Sequence, residues 1–137
     1  MSKRRILVLC TGNSARSQMA EGLLRRLAGD RFEVFSAGTK PAGLNRNAVD
    51  VMAEVGIDIS AHRSKSVEEF KDQQFDYVIT VCDNARASCP IFPGKGERIH
   101  HSFEDPASGN PSEQLVLFRK VRDQIRGFLE VFIRSVS

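Results

Sequence analysis

The sequence predicts a single-domain α/β fold, a four-stranded parallel sheet with helices on both faces. Three observations lead there. Short apolar runs alternate with stretches of helical periodicity, and Gly-, Pro- and Asn-containing turns separate them. Two of the three cysteines, Cys10 and Cys82, close apolar runs, where the carboxyl ends of strands are expected. Ligands in such sheets bind beyond those ends, at the point where strand order reverses. A chain of 137 residues can bury about 70% of its unfolded surface in one core, and the expected domain spans residues 1–137.

The first strand is the run Ile6 to Leu9, bounded by arginines and a polar loop, a pattern suited to a central strand covered on both faces. Ala20, Leu23, Leu24, Leu27 and Ala28 recur at helical spacing, which makes Ser17 to Ala28 a helix stopped by Gly29. Phe32 to Phe35 is a second strand that runs into Ser36-Ala37-Gly38. Asn45 caps a second helix, with Ala48, Val51, Met52 and Val55 on its apolar stripe and Gly56 at its close. A single helical turn is expected at Val67 to Phe70. Phe75 to Val81, rich in β-branched and aromatic residues, is the third strand and delivers Cys82. Pro90, Pro93, Gly94 and Gly96 limit the segment after Cys82 to a short helical turn before Cys89. Arg98 to Phe103 is the fourth strand. Ser112 is the expected cap of a long last helix with Leu115, Phe118, Val121, Ile125, Phe128, Leu129 and Phe132 on one stripe.

Hydrophobic residues at 41% and charged residues at 27% are ordinary for a globular chain. The net charge is +3, but basic residues are dispersed among acidic ones, so no nucleic-acid partner is expected. A mildly basic surface instead favours the approach of small anions. Only four apolar residues precede Cys10, too few for the roughly 7–15 of a signal peptide, and no run nears the ~20 of a membrane span. A cytoplasmic monomer without a membrane partner is expected. In a reducing compartment Cys10, Cys82 and Cys89 point to catalytic or redox use rather than a static disulfide.

The segment Cys10-Thr11-Gly12-Asn13-Ser14-Ala15-Arg16-Ser17 joins the first strand to the first helix. Its small, turn-prone residues let backbone N–H groups converge on one spot and form a nest for an anion at a helix N-terminus. Arg16 can add two parallel charge-assisted hydrogen bonds, which a lysine would not match. The same surroundings favour the thiolate of Cys10. Ser14 or Ser17 can donate a hydroxyl to it, while Gly12 and Asn13 tolerate left-handed backbone. The segment lacks the Gly-Lys-[Ser/Thr] ending of a nucleotide loop. It reads as an oxyanion cradle with a nucleophile; the plain alternative is a buried cysteine beside a surface arginine. The cysteine spacing does not fit a zinc site, and no metal is expected. His62, His100 and His101 are scattered and read as structural or surface residues.

The stretch from Cys10 through Gln18-Met19-Ala20-Glu21-Gly22 resembles the active-site signature of thioredoxin-coupled arsenate reductases, which share the fold and anion loop of low-molecular-weight protein tyrosine phosphatases. The likeness continues through Ser36-Ala37-Gly38, Glu54 to Ser60, Cys82, Cys89-Pro90, Phe103 to Ala107 and Val121-Arg122-Asp123. It implies reduction of arsenate to arsenite, an arsenic-detoxifying activity. Thr11, Gly12, Asn13, Ser14, Ala15 and Arg16 would bind the oxyanion, with Ser17 supporting the Cys10 thiolate. Cys10 would attack arsenic, Cys82 would attack Cys10, and Cys89 would attack Cys82. The resulting Cys82–Cys89 disulfide would be reduced by thioredoxin, an external reductant, with no bound cofactor. Formation of that disulfide would unwind the helical turn between the two cysteines. Asp105, otherwise a turn aspartate, is implied as proton donor.

Members of this family can bind K⁺ through residues matched here by Asn13, Glu21 and Ser36, plus an acidic residue at the position of Lys65. Lys65 is then either a solvated lysine or an ammonium that occupies the cation's place beside Glu21. The alternative activity is hydrolysis of phosphomonoesters through a phosphocysteine at Cys10, as in a low-molecular-weight phosphatase. Against it stand the two extra cysteines and the lack of aromatic residues immediately after Asp105-Pro106 that could embrace a phosphotyrosine ring. A non-catalytic anion sensor would leave Cys10 without a role.

Overall fold

Strand β1, Arg4–Cys10, runs through the sheet with β2, Phe32–Gly38, on one side and β3, Tyr77–Thr80, on the other; β4, Glu97–His100, forms the far edge. The order is β2-β1-β3-β4 and every pairing is parallel. The computed structural model describes residues 3–136. Helices α1 (Arg16–Ala28), α2 (Arg46–Glu54), α3 (Asp83–Ser88) and α4 (Gln114–Val136) connect and follow the strands. Turns of 3-10 helix lie at Val67–Phe70 and Pro106–Ser108. The chain leaves β1 toward β2 and then crosses to β3, so strand order reverses between β1 and β3. Cys10 ends β1 and Cys82 follows β3, at the carboxyl ends of these two neighbouring strands.

Ile6, Leu7, Val8 and Leu9 are fully buried, as a strand covered on both faces requires. Register puts Ile6 beside Val34 and Tyr77 on one face, where the Tyr77 ring meets Phe132 of α4 edge to face at 5.2 Å. Leu7, Phe35 and Val78 share the other face, where Phe35 packs against Phe70 and Phe75, and Phe75 against Phe92. Helices α1 and α4 pack together, while α3 and the 3-10 turn at Val67–Phe70 lie against the opposite side.

The Asn45 cap behaves as expected: its Oδ1 accepts the N–H groups of Asn47 and Ala48. Gly56 follows α2 with φ +78°, a left-handed value that favours glycine. Gly22 permits the close approach of α1 to the residues around α2, because a Cβ there would lie 2.9 Å from Ile59 Cγ2 and 3.0 Å from Met52 Cε. Arg122, nearly buried in α4, donates to the Val51 carbonyl and to Glu54, and Arg119 grips the same carboxylate. This latch joins α4 to α2.

The structure differs from the sequence expectation at several ends. β1 and β2 extend to Cys10 and Gly38 because their pairing continues through Cys10 opposite Gly38. β3 and β4 are shorter, Tyr77–Thr80 and Glu97–His100, since β4 pairs only over that register. Ser112 does not cap the last helix: its hydroxyl turns to Asn110 Oδ1, and α4 begins at Gln114. Leu115 is also exposed rather than part of the buried stripe.

Candidate active site

The loop after β1 is fastened by its carbonyl groups. Those of Cys10, Thr11, Gly12 and Ser14 accept N–H groups from Thr39, Lys40, Ala42 and Asn45, and Gly12 also accepts the Ser64 hydroxyl at 2.8 Å. Among the described residues, none of the N–H groups from Thr11 to Arg16 has a protein acceptor. With the carbonyls turned outward, these donors are left to the inside, which is the polarity an anion nest requires. Ala15 offers α1 no side-chain cap, so the helix N-terminus contributes its free donors to the same place. Of the two residues expected to tolerate left-handed backbone, only Asn13 adopts it, with φ +46°. Gly38 lets the loop sit close to β2, since a Cβ there would be 2.6 Å from Thr11 O.

Buried side chains fix the loop from beneath. Asn13 is fully buried; its Oδ1 accepts the Lys65 backbone N–H at 2.9 Å and Gln18 Nε2 at 3.0 Å. A backbone N–H can only donate, which fixes the amide orientation. Asn13 Nδ2 then donates to Ser17 Oγ at 2.7 Å and Ser36 Oγ at 2.9 Å. Ser17 Oγ, already accepting from Asn13, lies 2.8 Å from Cys10 Sγ, a bond in which either atom can be the donor. Of Ser14 and Ser17, it is Ser17 that reaches Cys10.

Ser36 donates onward to Glu21 Oε1 at 2.5 Å. The Glu21 carboxylate, buried in α1, also meets Arg25 at 3.0 Å and Lys65 Nζ at 3.7 Å. Lys65 donates to the Arg63 carbonyl at 2.9 Å, and only 14% of its side chain is exposed. Burial pushes the Lys65 ammonium below its ordinary pKa, and Glu21 opposes the shift. Lys65 therefore stands among the residues matched to the cation site: its backbone N–H bonds Asn13, Asn13 bonds Ser36, and Ser36 bonds Glu21.

Cys82 is buried, and its sulfur caps α3 by accepting the Ala85 N–H at 3.4 Å. It also lies 3.4 Å from Thr11 Oγ1, against the anion loop. Asp83, the first residue of α3, bonds His100 Nε2 at 3.0 Å, and His100 Nδ1 bonds Thr80 Oγ1 at 2.7 Å. Cys89 follows the far end of α3, half-buried beside a cavity of about 350 Å³ lined also by Thr80, Arg86, Arg98 and His100. Burial pushes the Cys89 thiol up and the nearby Arg98 guanidinium opposes this. The six helical residues of α3 stand between Cys82 and Cys89, and a helix of that length spans about 9 Å at ~1.5 Å per residue.

Arg16 Nη1 donates to the Phe103 carbonyl at 3.0 Å, tying the start of α1 to the segment that carries Asp105. Asp105 is exposed and spends one carboxylate oxygen on the Ala107 N–H at 3.0 Å. Sequence reasoning missed two residues. Gln18 is fully buried and His62 bonds it, Nδ1 to Oε1 at 3.0 Å. The available signal was a polar Gln18 inside the first turn of a helix that buries its neighbours.

The model of the family described as low molecular weight phosphotyrosine protein phosphatase matches residues 5–137. Over 137 residues the chain is 45% identical to an arsenate reductase of Halalkalibacterium halodurans, an alignment covering 98% of this chain and 99% of that protein. A solved arsenate reductase in the phosphate-binding state superposes with a TM-score of 0.76 at 33% identity, covering 98% of this chain and 99% of the other. A thioredoxin-dependent arsenate reductase of Corynebacterium glutamicum gives 0.68 at 29% identity, over 97% of this chain and 63% of that one. The anion loop and all three cysteines lie inside the matched span, and the chain belongs to the low molecular weight phosphotyrosine protein phosphatase family, with arsenate reductases among its relatives.

Proposed function

We propose that the protein reduces arsenate to arsenite through a relay of Cys10, Cys82 and Cys89, and that thioredoxin reduces the final disulfide. The observation that carries this reading is the Cys82 sulfur 3.4 Å from Thr11 Oγ1, a second thiol against the loop that holds the first. Phosphate-ester hydrolysis needs no such thiol. Relatives named as arsenate reductases, one of them thioredoxin-dependent, support the same choice.

In the proposed sequence arsenate sits on the N–H groups of Thr11 to Arg16, with the Arg16 guanidinium on its oxygens. The Cys10 thiolate attacks arsenic(V), and an oxygen leaves as water on taking a proton, which Asp105 supplies. The Cys82 thiolate then attacks Cys10 Sγ; the arsenic–sulfur bond breaks and its electron pair stays on arsenic, now arsenic(III), which leaves as arsenite. Cys10 and Cys82 are joined at this stage. The Cys89 thiolate attacks Cys82 Sγ, expels the Cys10 thiolate and leaves the Cys82–Cys89 disulfide. The thioredoxin dithiol then takes the oxidation. A disulfide needs Cα atoms no more than about 7 Å apart, so α3 unwinds in the third step. Lys65 serves as the resident cation of the loop, and no bound cofactor takes part.

The test is arsenate turnover with thioredoxin, thioredoxin reductase and NADPH, set beside hydrolysis of an aryl phosphate, in wild type and in Cys10→Ser, Cys82→Ser and Cys89→Ser. The expected result is that Cys10→Ser loses both activities, while the other two lose reduction and keep hydrolysis. Arsenate turnover that survives in Cys82→Ser would sink the relay.

A further inference from the structure

Gln18 has no exposed surface, and its Nε2 faces three acceptors: the Asn13 carbonyl at 3.1 Å, Asn13 Oδ1 at 3.0 Å and the Arg63 carbonyl at 2.9 Å. All three can only accept, so Nε2 is the amide nitrogen and Oε1 is the atom turned toward His62. Among the described residues His62 is the one partner of that oxygen. The His62 ring must therefore carry its proton on Nδ1. An unbroken line of hydrogen bonds runs from His62 to Gln18, on to Asn13, then to Ser17, and ends at the Cys10 sulfur.

We propose that His62 is a positioning residue for Cys10, acting through Gln18 and Asn13 to keep the Ser17 hydroxyl on the sulfur. The need for an external brace lies in Asn13, which holds a left-handed φ of +46° that a non-glycine residue adopts at a cost. Gln18 binds both the main chain and the side chain of Asn13, so any loosening of Gln18 is felt at the residue that aims Ser17. Removing His62 leaves the buried Gln18 oxygen without a donor, and the amide then shifts to find one.

Charged groups surround His62: Glu21 and Arg25 from α1, Asp58, Arg63 and Lys65 from the loop that carries it, and Glu69 from the following 3-10 turn. Burial favours its neutral form, and Glu21 opposes this. The Nδ1 proton is present in both the neutral tautomer and the imidazolium. The brace consequently survives titration of the ring, and its loss requires removal of the side chain.

The inference rests on the proposed role of Cys10 as nucleophile but not on arsenate chemistry. Its test is the rate of Cys10 alkylation by iodoacetamide, measured without arsenate in a Cys82→Ser, Cys89→Ser background. His62→Leu is expected to slow alkylation about threefold at neutral pH and to move the rate–pH profile to the alkaline side. His62→Asn, whose amide places an N–H where Nδ1 stands, restores the wild-type profile. Gln18→Met, which removes the middle link, gives the same slowing as His62→Leu, and the two together give no more than either alone. The proposal is overturned by a His62→Leu profile identical to wild type, by an Asn variant no better than Leu, or by additive effects in the double variant.

Discussion

At the scale of single residues, the site turns on one hydrogen bond. Asn13 supplies both hydrogens of its amide to Ser17 and Ser36, which fixes the Ser17 hydroxyl 2.8 Å from the Cys10 sulfur. Ser17→Ala is therefore expected to slow reaction of Cys10 with iodoacetamide about tenfold, near the lower end of what one hydrogen bond to a charged group supplies. Stopped-flow alkylation at fixed pH measures it. A second expectation concerns Lys65, whose ammonium lies 3.7 Å from Glu21. Arsenate turnover by the wild type should be the same in potassium and sodium buffers, and Lys65→Asp should make it rise with added K⁺. Strong potassium dependence of the wild type would remove the ammonium from its assigned role. The sequence made Cys10, Arg16 and Ser17 legible because loop and helix periodicity are local signals. It concealed His62, because its partner Gln18 is 44 residues away and a lone histidine in a loop carries no periodic mark.

The decisive element is α3, only six residues long. Helices of this length have little stability of their own, and this one is held by the Cys82 cap, by the Asp83–His100 contact and by burial of Ala85. Asn84 and Ser88 are exposed, and replacing both with alanine stabilises the helical form by roughly 1 kcal/mol. The double variant should form the Cys82–Cys89 disulfide about fivefold more slowly, while alkylation of Cys10 stays unchanged; quenched-flow trapping of free thiols would read both. Proline and glycine spacing disclosed that the helix is short. Its sulfur cap was hidden, since cysteine is not among the residues that ordinarily announce a helix start. Ser112 shows the converse, a good capping residue that the chain uses for a turn with Asn110 instead.

For the whole molecule, element order and the apolar runs disclosed the sheet and the edge that bears the site. The exact strand ends were not legible, because pairing depends on neighbours far away in sequence. The joint between α2 and α4 gives a pH expectation. Hydrogen bonding from Arg119, aided by Arg122, holds the Glu54 carboxyl below its ordinary 4.5. A carboxyl whose value is lower in the folded state adds stability above its unfolded value, and that contribution is lost as pH falls through the folded one. The thermal midpoint should drop as pH is taken below about 4.5, and Glu54→Gln should flatten this part of the curve. Tight packing sets a separate limit: Gly22→Ala, which would press a methyl on Ile59 and Met52, should cost about 1–3 kcal/mol in denaturant unfolding.

The outward fastening of the anion loop also sets an order of failure on warming. Four of its carbonyls are pinned to the Thr39–Asn45 segment, whereas Cys89 stands at the far end of a single short helix. Amide hydrogen exchange should show protection fading first from Asp83 to Ser88 and only later from Thr39 to Asn45. Between those two temperatures the protein would still hold a tetrahedral anion, yet the partner sulfur would have lost its fixed address. Heat would thus separate recognition from turnover before the fold itself is lost.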